Sequence, residues 1–304
     1  MSKTGQTNIN TISEFHKLFG LPKPEHPLIS VIDFSKANPQ SIPEKVVFGC
    51  YFISIKRNVN FQFIYGQQEF DFDEGVMFFI APHQVLKIEK ETVLSSKPTG
   101  WALLIHPDFL WKTSLANLIS KYDFFSYAAN EALFLSEKEE NIITGIAHNI
   151  EQEYHSNIDN FSKQIIITHL ENLLSYCQRF YNRQFITREK SNHQILHRLE
   201  EILTNYFNSD DVLSKGLPSP QYVSAMLNVS VSYLSRMLRV LTGQTTQQHI
   251  HDKLIEKAKE KLTTTDLSVS EIAYELGFEH SQAFSRLFKS KTNQSPLKFR
   301  QSFN

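Results

Sequence analysis

A chain of 304 residues that is 41% hydrophobic can bury a real core and has room for about two domains. Its net charge of −1 shows no overall bias toward an acidic or a basic partner. Cys50 and Cys177 stand far apart, which excludes a disulfide framework or a cysteine-rich zinc site. Together with a polar start, MSKTGQTNIN, and no apolar run of about 18 residues, this sets the expected location as the cytoplasm, with no membrane partner.

Residues 1–27 read as irregular with one helix at 11–19, stopped by Gly20 and Pro22. From about 28 to 105 the chain is rich in Val, Ile, Phe and Tyr. Runs at 46–55, 61–65, 69–72, 76–81 and 101–106 are separated by turn signals at Asn58, 73–75 and 98–100. Many short strands with frequent turns predict a small barrel or sandwich. Near Pro107 the period changes. Ser136 and Glu139 form a capping box that opens a helix carrying Ile142, Ile143, Ile146, Ile150 and Tyr154. A break at 157–160 precedes a second helix at 161–181, with Ile166, Leu170, Leu173, Leu174, Cys177 and Tyr181 on one broad face. The pair predicts an antiparallel hairpin at 136–183, one face covering the barrel and another pairing with a second copy. The polar stretch 184–192 reads as a linker, giving domains at 1–183 and 193–304.

From 193 onward the pattern is helical throughout, and it repeats at an offset of fifty residues. Leu234-Ser235-Arg236-Met237-Leu238-Arg239 matches Phe284-Ser285-Arg286-Leu287-Phe288-Lys289, and Thr242-Gly243-Gln244-Thr245 matches Thr292-Asn293-Gln294-Ser295. Upstream the offset slips to forty-nine, so Leu227-Asn228-Val229 matches Leu276-Gly277-Phe278 and the second turn is one residue longer. Asn228 and Gly277 fall where a left-handed residue ends a helix. Each unit therefore reads as helix, tight turn, helix, at about 219–242 and 268–291. At 100° per residue, Ser232, Ser235, Arg236 and Arg239 lie opposite Leu234 and Leu238. Gln282, Ser285, Arg286 and Lys289 lie opposite Phe284 and Phe288. The windows 228–251 and 280–304 contain no acid. Small hydroxyls, an amide and cations on one face suit a helix that reads base edges in a major groove. Ile250, Leu254, Ala258 and Leu262 recur every fourth residue in a spacer helix between the units.

Here SVSYLSRMLRVLTGQT and the later run LSVSEIAYELGF…SRLFK…SPLKFR resemble the DNA-binding domain of the AraC/XylS family of bacterial transcription regulators, over about residues 193–304. The resemblance implies two recognition helices entering successive major grooves. By position, Ser232, Ser235 and Arg236 would form the first reader, and Ser281, Gln282, Ala283, Ser285 and Arg286 the second. Backbone amides after Ser295, with Lys298, would suit a phosphate. Asn228 departs from the glycine usual in the family.

Order and position make the N-terminal part similar to the cupin-like sensor and dimerisation domain of that family. A small-molecule effector would lie in an aromatic-lined barrel, with Tyr51, Phe63, Tyr65, His83 and Trp101 as candidate contacts. Metal chemistry would need a ligand cluster, and only His83, His106 and Glu89 offer themselves, with no paired histidines. No nucleophile, phosphate-loop or dinucleotide motif is present, so no catalytic residue, metal or cofactor is expected. The expected fold is α+β and multidomain. It joins a cupin-like β-barrel and helical hairpin to an all-α domain with two helix-turn-helix units. The expected function is a homodimeric, effector-controlled regulator, an activator, acting on promoter DNA with RNA polymerase as a further partner. The alternatives are a regulator whose N-terminal domain only dimerises or binds a protein, and a metal-dependent cupin enzyme.

Overall fold

The computed structural model describes residues 6–38, 43, 45–57, 75–87, 99–127, 131–156, 159–187 and 189–302. The strands expected at 61–65 and 69–72, and with them Phe63, Tyr65 and Glu89, lie outside the described residues. The chain divides into two compact units, Met1–Gln184 and Phe185–Asn304.

The first unit begins with β1 (Gln6–Ile9), α1 (Ile12–Leu18) and β2 (Ile29–Asp33). It continues with β3 (Lys45–Phe48), β4 (Tyr51–Arg57), β5 (Val76–Ile80), β6 (Val85–Lys87) and β7 (Thr99–Ile105). After several one-turn helices and α2 (Leu115–Leu118) come β8 (Leu133–Phe134), α3 (Glu137–His155) and α4 (Ser162–Thr187). The described strands form two separate sheets, ordered β1-β3-β6 and β2-β7-β4-β5-β8, rather than the closed barrel expected. The run 46–55 is two strands, one in each sheet. The chain turns at Gly49, whose N–H donates to Ile9 O at 2.7 Å. A Cβ there would meet Asn10 Cα at 2.9 Å, so a residue without a side chain permits the corner.

The five-stranded sheet is buried on both faces. Its inner face carries Ile32, Phe52, Ile80, Ala102 and Leu104, which share a core with Ile9, Ile12, Phe15, Val46 and Phe48 from the smaller sheet and α1. Its outer face carries Ile53, Ile55, Phe79, Trp101 and Leu103 and meets the helices. Trp101 Nε1 donates to Thr144 Oγ1 on α3 at 3.1 Å, and the Phe79 ring lies 4.5 Å from that of Phe124 and 6.0 Å from that of Tyr181. Tyr154 on α3 covers the β2 edge, its hydroxyl accepting from Val31 N–H at 2.9 Å. The hairpin starts as its pattern predicts: Ser136 caps α3, with Glu139 bonding back to the cap residue.

The polar stretch 184–192 is helical on both sides of Arg188, with α4 reaching Thr187 and α5 (Glu189–Phe207) following. It holds no proline or glycine, and its neighbours are occupied. Gln184 accepts from Phe134 N–H at 2.8 Å and donates to Ala132 O at 3.1 Å, and Asn192 donates to Phe185 O. Polar side chains are compatible with a helix where they find such partners.

The second unit is all helix. After α5 come α6 (Asp211–Lys215), α7 (Pro220–Leu227), α8 (Val231–Thr242) and α9 (Thr246–Thr264). They are followed by α10 (Val269–Glu275), α11 (Ser281–Thr292) and α12 (Pro296–Gln301). One core gathers Tyr206 and Phe207 of α5, Leu254, Ala258 and Leu262 of α9, and Ile272, Ala273, Leu276, Phe284 and Phe288 around the second turn.

Candidate nucleic-acid interface

Two helix pairs, α7–α8 and α10–α11, are built by the same local chemistry. Asn228 adopts φ 56° and Gly277 φ 82°, both left-handed. In the first turn Asn228 N–H donates to Ala225 O (3.1 Å) and Val229 N–H to Ser224 O (3.0 Å). In the second, Gly277 N–H donates to Tyr274 O (2.9 Å) and Phe278 N–H to Ala273 O (3.0 Å). These paired bonds satisfy the last carbonyls of α7 and α10 and force the chain to reverse. The downstream ends match as well. Gly243 and Asn293 are left-handed, and Thr242 and Thr292 each donate to the carbonyl four residues back at 2.8 Å. Thr245 and Ser295 then cap the next helices by accepting from Gln248 N–H and Lys298 N–H, each at 3.2 Å.

The second helix of each pair places its candidate side chains at matching steps. Ser232, Ser235, Arg236 and Arg239 occupy positions i, i+3, i+4 and i+7 of α8, and Gln282, Ser285, Arg286 and Lys289 occupy the same steps of α11. Neither helix contains an acid. Coverage differs. Ser232, Ser235 and Arg236 are half-buried and Arg239 is exposed, whereas Gln282, Arg286 and Lys289 are exposed and Ser281, Ala283 and Ser285 half-buried. Helix α8 buries Tyr233, Leu234, Met237 and Leu238, with the Tyr233 ring edge-on to Phe185 at 5.1 Å. Helix α11 buries only Phe284 and Phe288. Lys298 is exposed on α12, while Arg300 turns inward and donates to Leu262 O at 3.0 Å, closing the C-terminus of α9.

The spacer α9 has 19 residues, about 28 Å at the helical rise. Near its start, Asp252 joins the two pairs: Gln244, just past α8, donates to it at 2.8 Å, and Lys291, in the last turn of α11, donates at 2.7 Å. Burial raises the Asp252 pKa, but the Lys291 bond and charge with the Gln244 bond outweigh it, and the net shift is downward. Sequence pattern had no signal for this bridge, because Asp252 is an ordinary acid on a charged helix until the fold brings Lys291 to it.

Among the described residues, the candidate effector contacts do not converge. Tyr51 lies on the outer face of its sheet, its ring 5.1 Å from Phe125, and Trp101 faces α3. His83 is exposed in a turn, held by its N–H to Phe48 O at 2.6 Å. His106 accepts from Asp108 N–H at 3.2 Å at the start of a one-turn helix. Among the described residues no group of three or more His, Cys, Asp or Glu side chains is placed to hold a metal ion, and no helix is long and apolar enough to cross a membrane.

These paired turns define a double helix-turn-helix domain. Residues 223–302 match a family described as a helix-turn-helix domain. An uncharacterised HTH-type transcriptional regulator of Pseudoalteromonas carrageenovora is 35% identical over 103 residues, 34% of this chain and 56% of that one. The HTH-type transcriptional activator RhaS of Salmonella arizonae is 39% identical over 79 residues, 26% of this chain and 28% of that one. Among solved structures, the C-terminal domain of the response regulator AraT from Geobacillus stearothermophilus is 30% identical, covering 36% of this chain and 84% of that one, with a TM-score of 0.31. The chain thus spans about half the length, or less, of the curated relatives it matches. The C-terminal domain is thus a helix-turn-helix domain of the AraC type, similar to those of the transcription regulators it matches.

Proposed function

We propose that the chain is a sequence-specific, DNA-binding transcription activator that presses α8 and α11 into successive major grooves. The observation that carries this reading is the repeated outward face, Ser232/Ser235/Arg236/Arg239 and Gln282/Ser285/Arg286/Lys289, acid-free and at the same helical steps in both units. Arginine forks match guanine edges or phosphates, while serine and glutamine reach base edges. Ser281 and Ala283 flank the second face, and Ser295 and Lys298 offer a phosphate contact at the start of α12. The N-terminal unit is the cupin-like sensor, with a small-molecule effector between its sheets, and the 136–183 hairpin is the homodimer contact. The domains are 1–183 and 193–304, promoter DNA in the cytoplasm is the target, and RNA polymerase is the further partner of an activator.

Sequencing of genomic DNA bound by the full chain, followed by gel-shift titration of the recovered site, tests the reading. Specific binding should weaken at least about a hundredfold when Arg236→Ala and Arg286→Ala are combined, since each base or phosphate contact contributes about 1–3 kcal/mol. It should also fall steeply with salt. Enrichment of no site, or unchanged affinity in the double variant, overturns it.

A further inference from the structure

The junction between α8 and α9 is built with titratable side chains that its counterpart in the second unit lacks. Thr242, the last residue of α8, spends its one hydroxyl proton on Leu238 O at 2.8 Å. Its oxygen then accepts from Gln244 N–H at 3.2 Å and lies 2.9 Å from His249 Nε2 in the first turn of α9. A hydroxyl with no proton left can only accept, so Nε2 carries the proton and donates. This bond ties the end of α8 to the start of the spacer. At the fifty-residue offset, Thr292 repeats both backbone bonds, to Phe288 O at 2.8 Å and from Gln294 N–H at 3.3 Å. In place of His249 stands Phe299, whose ring packs 5.5 Å from that of Phe288. The motif therefore closes this turn without an imidazole.

A second imidazole stands close by. Gln247 Nε2 donates to His251 Nε2 at 2.8 Å, a bond that requires this nitrogen to be unprotonated. His251 also feels the charges of Lys291 on α11 and of Asp252, the two ends of the bridge between the helix pairs. Its counterpart at the fifty-residue offset is Gln301, which cannot titrate. The charged groups acting on His249 are Asp252 on its own helix and Glu200 on α5. Helix α8 brings Arg239, exposed in its last turn. The charged residues of α10 and α12 that bond to α9, Glu275 and Arg300, do so at its far end, on Lys261 and Leu262 O. Burial lowers the pKa of both histidines, and the Lys291 charge lowers that of His251 further. Asp252 and, for His249, Glu200 act the other way without overcoming it. The formed junction thus holds both rings neutral and disfavours their protonation.

We propose that His249 is a positioning residue for α8, setting the first reader on the spacer through Thr242, and that with His251 beside the Asp252–Lys291 bridge it makes DNA binding weaken when the junction takes up protons. This rests on the reading of α8 and α11 as DNA readers, and it adds a control by pH to them. Charging His249 leaves its Nε2–H in place but puts a cation in a half-buried site. The ring is relieved by turning out to water, which breaks the bond to Thr242. Charging His251 sets a second cation beside Lys291, against the bridge. Both groups have a lower pKa in the fold than in the unfolded chain. The stability they contribute is complete above the ordinary imidazole value of 6.5 and is lost as pH falls through the lower folded value. Simple charge acts in the opposite direction, because a protonated imidazole adds positive charge and strengthens non-specific contact with phosphates. The two effects differ in sign, so DNA binding itself tells them apart.

The test is gel-shift titration of the full chain on the recovered genomic site and on an unrelated fragment, at about pH 7.5 and about pH 5.5 and constant ionic strength, with thermal melting at both. Specific binding by wild type should fall about tenfold on acidification, the size of one pKa unit of linkage, while binding to the unrelated fragment holds or rises. His249→Gln, which keeps a donor for Thr242 but takes up no proton, should match wild type at the higher pH and lose most of the fall. Adding His251→Gln should remove the rest. His249→Ala, with no donor, should bind severalfold more weakly at both pH values. The same fall in the double glutamine variant as in wild type, or specific binding that rises with acid, overturns the inference and leaves the DNA reading intact. A lower melting temperature in His249→Gln with an unchanged pH profile makes His249 a structural residue and overturns it too. No specific site at the higher pH overturns the reading of α8 and α11 themselves, and this inference with it.

Discussion

The two helix-turn-helix pairs share their turns, caps and outward spacing, yet they are held differently. Helix α8 is capped by Ser230, which accepts from Tyr233 N–H at 3.2 Å, and it buries four side chains. Helix α11 starts at His280 with no side-chain cap and buries two phenylalanines. One copy of the motif is clamped into its surroundings, and the other is presented. A repeat therefore conserves the backbone chemistry of the motif while leaving each copy free to trade coverage for exposure. The second turn is also the more crowded one: a Cβ on Gly277 would meet Val212 O at 2.8 Å, whereas Asn228 carries its side chain in the same left-handed conformation.

That contrast can be broken at several points. The largest effect is expected in the turns. Gly277→Ala should cost about 2–3 kcal/mol, from the left-handed backbone together with the clash against Val212 O, while Asn228→Ala should cost about 1 kcal/mol. Chemical denaturation of the two variants measures both, and equal losses would show that the turns are equivalent after all. Next come the readers. In gel-shift titration on one genomic site, Arg286→Ala should weaken binding about tenfold or more, and Arg236→Ala, on the half-buried face, by less. The reverse order would make the clamped helix the principal reader. The smallest effect is at the caps. Ser230→Ala should destabilise by about 1 kcal/mol, whereas His280→Ser should stabilise by up to about 1 kcal/mol by supplying the cap that α11 lacks. A destabilised His280→Ser protein would assign His280 a packing role.

The C-terminal architecture was legible in the sequence because its determinants are local. Ser219-Pro220, Ser230, the Thr245 and Ser268 capping boxes and the left-handed Asn228 and Gly277 each act within one turn of chain. The N-terminal unit was less so. Its five-stranded sheet is covered on both faces, so residues 52–55 of YFISIKR are all buried, and alternation could not tell inside from outside. Aromatic content drew attention to Tyr51 and Trp101, which face the helices. The break at Gly49 depends on the approach of Asn10, and the Asp252 bridge depends on Lys291, 39 residues away. Both are tertiary events with no local pattern to announce them.

The Asp252 bridge carries a consequence for the proposed DNA target. A stiff rod pinned near one end to both readers works as a caliper with a single setting. A promoter whose two half-sites are spread by half a helical turn then presents one of them on the wrong side of the duplex. The protein cannot stretch to follow. Either the DNA bends, at an energy set by the flexibility of the base steps between the half-sites, or one reader stays off. Sequence the protein never touches would thereby enter its choice of target, and releasing the caliper at Asp252 would widen the range of spacings tolerated.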